Sequence, residues 1–522
     1  MSRRQADGRR PEPASAAELE AGAAAFARAT GLFEALIGDL ADRKADAMMA
    51  FDLEVMISER GREVMLELLQ GHMDLRSICE PQHSEVTDAD GIAHRRIEKN
   101  HERQLNSVFG TLRIRRIAYR ALGAANLHPL DAELNLPTGR TSHGLRRLAA
   151  YEATRGSFAD AVAAIERACG VRVGKLVIEQ AAMRAATDID RFYRGTPPTP
   201  VAAGVPLALS FDAKGIVMLP KDLREDTRRN AEAKQAAGGP AMKTRLAAGE
   251  KLGRKRMAVL GAVWDSPTAP RNTDDVIADP DTGPDAHPER ADGPKACNKW
   301  LTASVADTGA DVISAAFDQA EDRDPDHQRD WIVLVDGAEA QIAQIQAEAI
   351  VRGVDIHIVC DLIHVLEYLW KAAWCFHDKA GPDIEAFVAR HARTILAGNS
   401  EQTVADLRRA AKTVALTDDK LATVGKTCTY LENKRHWLRY DIALAAGWPI
   451  ATGIIEGACR HLVKDRLDIT GARWSLAGAE AVLKLRALIT NNDVDAYWTF
   501  HLRAEHQRIH QARYEHQHGL AA

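Results

Sequence analysis

Long apolar runs are missing from this 522-residue chain. No stretch of eighteen apolar residues occurs, so no membrane-spanning helix is expected. The N-terminus, Met1-Ser-Arg-Arg-Gln5, lacks the apolar core of a secretory signal, and a cytoplasmic location is expected. Cysteine is sparse. The seven residues (Cys79, Cys169, Cys297, Cys360, Cys375, Cys428, Cys459) are scattered with no CxxC pair, which argues against a zinc ribbon and for reduced thiols. An excess of positive charge is also absent. The net charge is −5, so any nucleic-acid contact must rest on local cations.

What the chain does contain is a set of short apolar runs that end in acids. Leu207-Ala-Leu-Ser-Phe-Asp212 and Trp331-Ile-Val-Leu-Val-Asp336 read as buried strands, each delivering a carboxylate to a sheet edge. Thr452-Gly-Ile-Ile-Glu456 places a third acid near the start of a helix. Three carboxylates brought together would hold two Mg²⁺ ions, because Mg²⁺ takes hard oxygen ligands and keeps several waters. Two ions about 3.5–4 Å apart clamp the attacking and leaving oxygens of an in-line displacement at phosphorus. Taken singly, each Asp also fits a plain helix or turn cap.

Length alone suggests roughly three domains. Residues 1–14 are rich in Arg, Pro and Ala and are expected to be disordered. Residues 15–95 are predicted helical from the spacing of Leu32, Leu36, Ile37 and Leu40 and of Met65, Leu68 and Leu69. In 96–140 the period changes: Val108-Phe-Gly110 reads as a hairpin turn, and Arg113 and Arg115 alternate with Leu112 and Ile114 on one basic face. Residues 141–200 return to helix. Ser157 caps one helix, Gly170 ends it, and a second begins near Val173 with Arg172 and Lys175 at its front, the order of a helix-turn-helix. Plain helix packing accounts for that pattern equally well.

The α/β core is predicted over 201–365, with strands at about 205–212, 215–219, 257–265, 299–306, 331–335 and 354–359. Asp212-Ala-Lys-Gly215 reads as a tight return between the first two strands. The basic stretch 221–256 and the acidic, Pro-rich stretch within 267–298 read as flexible insertions. Residues 366–446 are predicted as a helical insertion, followed by 447–515 with the Glu456 helix and two closing helices, roughly 478–490 and 494–515. The tail histidines His501, His506, His510, His516 and His518 read as an exposed helix face.

Further chemistry-bearing residues surround the acids. Glu456 lies one residue beyond the capping-box position, and Arg460 and Lys464 follow at helical spacing. They form either a surface ion-pair ladder or phosphate contacts behind a metal-bound acid. Asp361 and His364 share a face at a strand-to-helix junction. Arg473 and Trp474 suit a phosphate and an unstacked base, though a structural Trp fits as well.

Together these residues resemble the DDE transposases of the RNase H-like superfamily. The Asp361-x-x-His364 element is similar to Mutator-like enzymes, and the helical insertion before the last Glu to hAT enzymes. Phe109-Gly-Thr-Leu-Arg-Ile-Arg-Arg116, Leu127-His-Pro-Leu-Asp131, Ile363-His-Val-Leu-Glu-Tyr-Leu-Trp-Lys-Ala-Ala-Trp374 and Gly447-Trp-Pro-Ile-Ala-Thr-Gly-Ile-Ile-Glu-Gly-Ala-Cys-Arg-His-Leu-Val-Lys-Asp-Arg466 resemble the ISKra-type bacterial insertion-sequence transposases, from about residue 100 to 510. Relatives often carry a Cys-rich element after the hairpin. Here Ala121-Leu-Gly-Ala-Ala125 has no cysteine.

The resemblance implies an RNase H-like α/β catalytic domain with a large helical insertion, preceded by helical and small β/helix-turn-helix modules. It implies catalytic and metal-holding roles for Asp212, Asp336 and Glu456, with two Mg²⁺ or Mn²⁺ ions. With DNA as the substrate, the residues expected to contact it are Arg172, Lys175, His364, Arg460, Lys464, Arg473 and Trp474. The expected partners are double-stranded element ends, target DNA and further copies of the chain, and the expected place is the bacterial cytoplasm, on the nucleoid when bound to DNA. A structure-selective nuclease on the same fold, or a domesticated DNA-binding protein, are the alternatives. Loss of one acid would mark the latter, and all three are present.

Overall fold

The computed structural model describes residues 16–196, 198, 201, 204–236, 255–281, 290–377, 380–469 and 471–515. The N-terminal stretch expected to be disordered, residues 237–254 of the basic insertion, residues 282–289 of the acidic one, and His516 and His518 lie outside the described residues. The chain divides into two compact units, Met1–Asp188 with Asp495–Ala522, and Ile189–Val494. None of the described helices is long and apolar enough to cross a membrane.

In the first unit, helices Ala16–Ala41 and Ala50–Ile78 pack against each other across a single turn at Ala45–Ala47. Gly71 sets how close they come: a β-carbon there would lie 2.6 Å from the Ala25 carbonyl oxygen. Two short strands, β1 (Val86–Thr87) and β2 (Ala93–His94), precede a hairpin of β3 (Arg96–Ser107) and β4 (Gly110–Arg120). The hairpin turns at Val108-Phe109, as the sequence predicts, and Leu112 and Ile114 face inward while Arg113 and Arg115 are exposed. Leu105, Leu112, Ile114 and Leu136 form a core on which Leu66, Leu69 and Met73 pack.

Helices His143–Arg155, Phe158–Cys169 and Lys175–Ala185 pack on one another. Ser157 and Asp160 make a reciprocal capping box, and Gly170 ends the middle helix at φ 71°. The third helix starts at Lys175, two residues later than its spacing suggests. Arg172 and Lys175 are exposed at its entry.

From Asp495 onward the last helix, Val494–Ile509, belongs to this first unit rather than to the α/β region with which the sequence groups it. Arg146 pairs with Glu505 at 2.8 Å, and His501 Nδ1 lies 2.8 Å from Asp188. His501 and His510 are therefore buried, not on an exposed face.

The second unit is mixed α/β. Its sheet has five strands: β5 (Leu207–Val217), β6 (Lys255–Asp265), β7 (Cys297–Ser304), β8 (Trp331–Val335) and β9 (Ile356–Cys360). The order across the sheet is β7-β6-β5-β8-β9, with β5, β6 and β7 antiparallel and β8 and β9 parallel to β5. β8 is buried along its whole length, which explains its unbroken apolar run.

One strand prediction is corrected. Asp212-Ala-Lys-Gly215 is not a turn; β5 runs straight through it and stays paired with β6 from Leu207–Asp265 to Val217–Lys255. Part of the stretch read as a flexible insertion is the helix Glu225–Ala236. Residues 362–446 are helical, as expected, through Leu362–Phe376, Pro382–Leu396, Ser400–Thr413, Asp418–Lys434 and Tyr440–Ala446. Two further helices, Gly453–Ala458 and Leu476–Thr490, follow.

Candidate metal centre

The parallel registers decide where the acids fall. Ser210 stands opposite Leu334, and Val335 opposite Cys360. Counting on from those pairs, Asp336 and Asp361 each lie one residue past the ends of β8 and β9, at the level of Asp212 within β5. Gly337, at φ 97°, turns the chain away just after Asp336.

Each carboxylate is held differently. Asp212 is half-buried; Oδ1 accepts the Ala213 N–H at 2.6 Å and Oδ2 accepts the Cys459 thiol at 3.1 Å. Asp336 is half-buried, and its Oδ1 accepts the Ala338 N–H at 2.8 Å. The Tyr430 hydroxyl donates to the Asp336 carbonyl oxygen at 3.4 Å. Asp361 is fully buried. Its Oδ2 lies 2.8 Å from His364 Nδ1, and Oδ1 accepts the N–H groups of Ile363 at 3.2 Å and Thr452 at 3.1 Å. The Thr452 hydroxyl donates in turn to Glu456 Oε1 at 3.2 Å. Asp361 thus fixes both the imidazole of His364 and the loop that starts the Glu456 helix.

One ligand atom each from Asp361, His364 and Glu456 lies within 4.8 Å of the others, a group that could hold a metal ion. This set differs from the Asp212, Asp336 and Glu456 expected from sequence. Glu456 is instead joined to Asp212 through its own helix, because Cys459, three residues on, bonds to Asp212. The donors fit a divalent cation: among the described residues, Oδ2 of Asp336 and Oε2 of Glu456 accept no hydrogen bond, and carboxylate oxygens are the ligands a hard cation takes.

The electrostatics follow the geometry. Burial alone would raise the Asp361 carboxyl, but hydrogen bonds from His364 and Thr452 outweigh it and hold Asp361 below the usual carboxylate range. His364 is raised, chiefly by its hydrogen bond to Asp361, with the charge of Asp336 adding to it. The pair is therefore fully ionised between the ordinary carboxylate and imidazole ranges. Its contribution to stability is lost as pH rises through the raised pKa of His364. An NMR titration of metal-free protein should give His364 a midpoint above the usual imidazole value. Asp361→Asn should return it toward that value; an unshifted His364 in the wild type would contradict the ion pair.

The other expected site residues fall as follows. Arg460 and Lys464 are exposed, but Cys459–Lys464 winds as a π-helix, so its wider turn removes the simple four-residue ladder. Arg473 is exposed. Trp474 corrects the expectation of a base-stacking platform. It is 4 % exposed, its Nε1 donates to the Leu467 carbonyl at 3.0 Å, and the Arg466 guanidinium lies 4.6 Å from its ring centre. Backbone bonds to Val217 and Leu219 pin it beside the end of β5. Trp474 is a core residue.

Three participants escaped the sequence reading. Cys459 had a usable signal, one helical turn from Glu456. Thr452 had a weaker one, as the helix-start residue. Tyr430, from the helical insertion and 94 residues from Asp336, had none. Comparison with known protein families and with curated proteins finds no match for this chain.

Proposed function

We propose that the second unit is an RNase H-like catalytic domain and that the chain is a DDE-type DNA transposase. The observation that carries this is the register that levels Asp212 with Asp336 on adjacent parallel strands, with Glu456 tied to Asp212 through Cys459. The strand order β7-β6-β5-β8-β9, three antiparallel strands followed by two parallel ones, supports the same reading. So does the helical segment 362–446 that separates β9 from Glu456.

In this reading Asp212, Asp336 and Glu456 hold Mg²⁺ or Mn²⁺. Bound divalent cations supply charge neutralisation at phosphate oxygens and activate the attacking water or 3′-hydroxyl. The protein's own residues do the rest. Asp361 orients His364 and, through Thr452, Glu456. His364, favoured as the cation by Asp361, presents positive charge beside the acids. Exposed Arg460, Lys464 and Arg473 hold the phosphate backbone, which positions DNA without reading it. Recognition of double-stranded element ends falls to the three-helix segment of the first unit, and pairing two ends calls for more than one copy of the chain.

The test is a strand-transfer assay with cloned element ends and a supercoiled target in Mg²⁺. Nicking at the ends and joining of 3′-hydroxyls are expected, both abolished by EDTA. Cleavage of branched DNA without joining would favour a nuclease, and no metal-dependent cleavage of any DNA would overturn the proposal. In the same system Arg172→Ala with Lys175→Ala should weaken binding to the ends. It should also flatten the slope of log affinity against log salt by roughly one unit per lost phosphate contact. Unchanged affinity at every salt concentration would make this segment a packing element only.

A further inference from the structure

We infer that Cys459 is a positioning residue for Asp212, fixing its carboxylate for a divalent cation and fastening the Glu456 helix to β5. The inference rests on the metal-dependent reading above. Asp212 lies in the middle of a strand, where a side chain is free to swing about χ1 and χ2. Two donors stop it: the Ala213 N–H on Oδ1 and the Cys459 thiol on Oδ2, at 2.6 and 3.1 Å. The thiol is buried and comes from the residue that begins the π-turn, so its place depends on how that turn is wound.

A thiol suits this task. Its S–H donates to the Oδ2 carboxylate oxygen at 3.1 Å from a buried position. Serine carries the same kind of donor on a shorter bond, and alanine carries none.

The experiment is Mn²⁺ binding to the full chain by calorimetry, with wild type, Cys459→Ala, Cys459→Ser and Asp212→Asn, alongside Mg²⁺ dependence of cleavage. Cys459→Ala should bind Mn²⁺ roughly tenfold more weakly, the order expected for losing one hydrogen bond to a charged group. It should need correspondingly more Mg²⁺ for half-maximal cleavage, while the rate at saturating Mg²⁺ and affinity for DNA stay near wild type. Cys459→Ser should recover most of the loss. Circular dichroism and melting of each variant separate positioning from unfolding. If Cys459→Ala binds Mn²⁺ as wild type does while Asp212→Asn does not, the positioning role is overturned and the transposase reading stands. If Asp212→Asn also binds as wild type, the metal-dependent reading itself falls.

Discussion

Asp212→Asn is expected to abolish strand cleavage, by roughly a thousandfold or more, while binding of DNA ends changes little. A metal-holding carboxylate contributes several kcal/mol to stabilising transition-state charge, and each factor of ten in rate takes about 1.4 kcal/mol. The substitution is close to isosteric and keeps one acceptor oxygen, enough for the Ala213 N–H or the Cys459 thiol but not both, so the fold should survive with one of these bonds lost. In the proposed function, binding rests on cations elsewhere, chiefly exposed ones such as Arg172 and Lys175. Gel shift and cleavage measured on one preparation decide the matter. Equal loss of both would mean misfolding, and full cleavage would remove Asp212 from the chemistry.

Trp474→Ala should be the most destabilising single change near the centre, by about 3–5 kcal/mol, the cost of emptying a buried aromatic site. The indole fills space beside the end of β5, and its loss also strands the Leu467 carbonyl and uncovers the Arg466 guanidinium. Arg473→Ala, at the exposed neighbour, should leave the melting temperature near that of wild type and weaken DNA binding instead. Thermal melts of the two variants side by side test this. A Trp474→Ala protein that melts like wild type would contradict the buried position.

Much of the fold was legible where one local pattern dominated. β8 is apolar throughout because helices and neighbouring strands cover it, and its predicted bounds, 331–335, match. The hairpin was legible because Leu112, Arg113, Ile114 and Arg115 alternate in step with their burial. The continuation of β5 was not. Asp-Ala-Lys-Gly has turn residues, and only pairing with β6 keeps it extended, a long-range effect that no window of sequence contains.

The centre shows the same division. Asp212 and Asp336 each follow an apolar run that reads as a strand, but β5 runs on past Asp212, so the register of β5 against β8 and not a shared strand end relates them. The bond between Asp361 and Thr452 spans 91 residues across the helical segment, and nothing local announces it. Trp474 was ambiguous for a different reason. An aromatic beside arginine in a loop has the same composition whether the ring packs inward or faces a ligand.

The return of the last helix to the first unit has a consequence for synthesis. Arg146 takes Glu505 and Asp188 takes Arg508 as counter-charges, with His501 as a hydrogen-bond partner of Asp188, and all three partners leave the ribosome more than 300 residues later. Until then the N-terminal unit holds half of a buried ionic network, a costly state when the partner charges are missing. A copy of the chain cut short after residue 494 would keep every one of the three acids yet leave Arg146 and Asp188 without these partners. The buried charges of the N-terminal unit are therefore paired only once its C-terminal helix has been made.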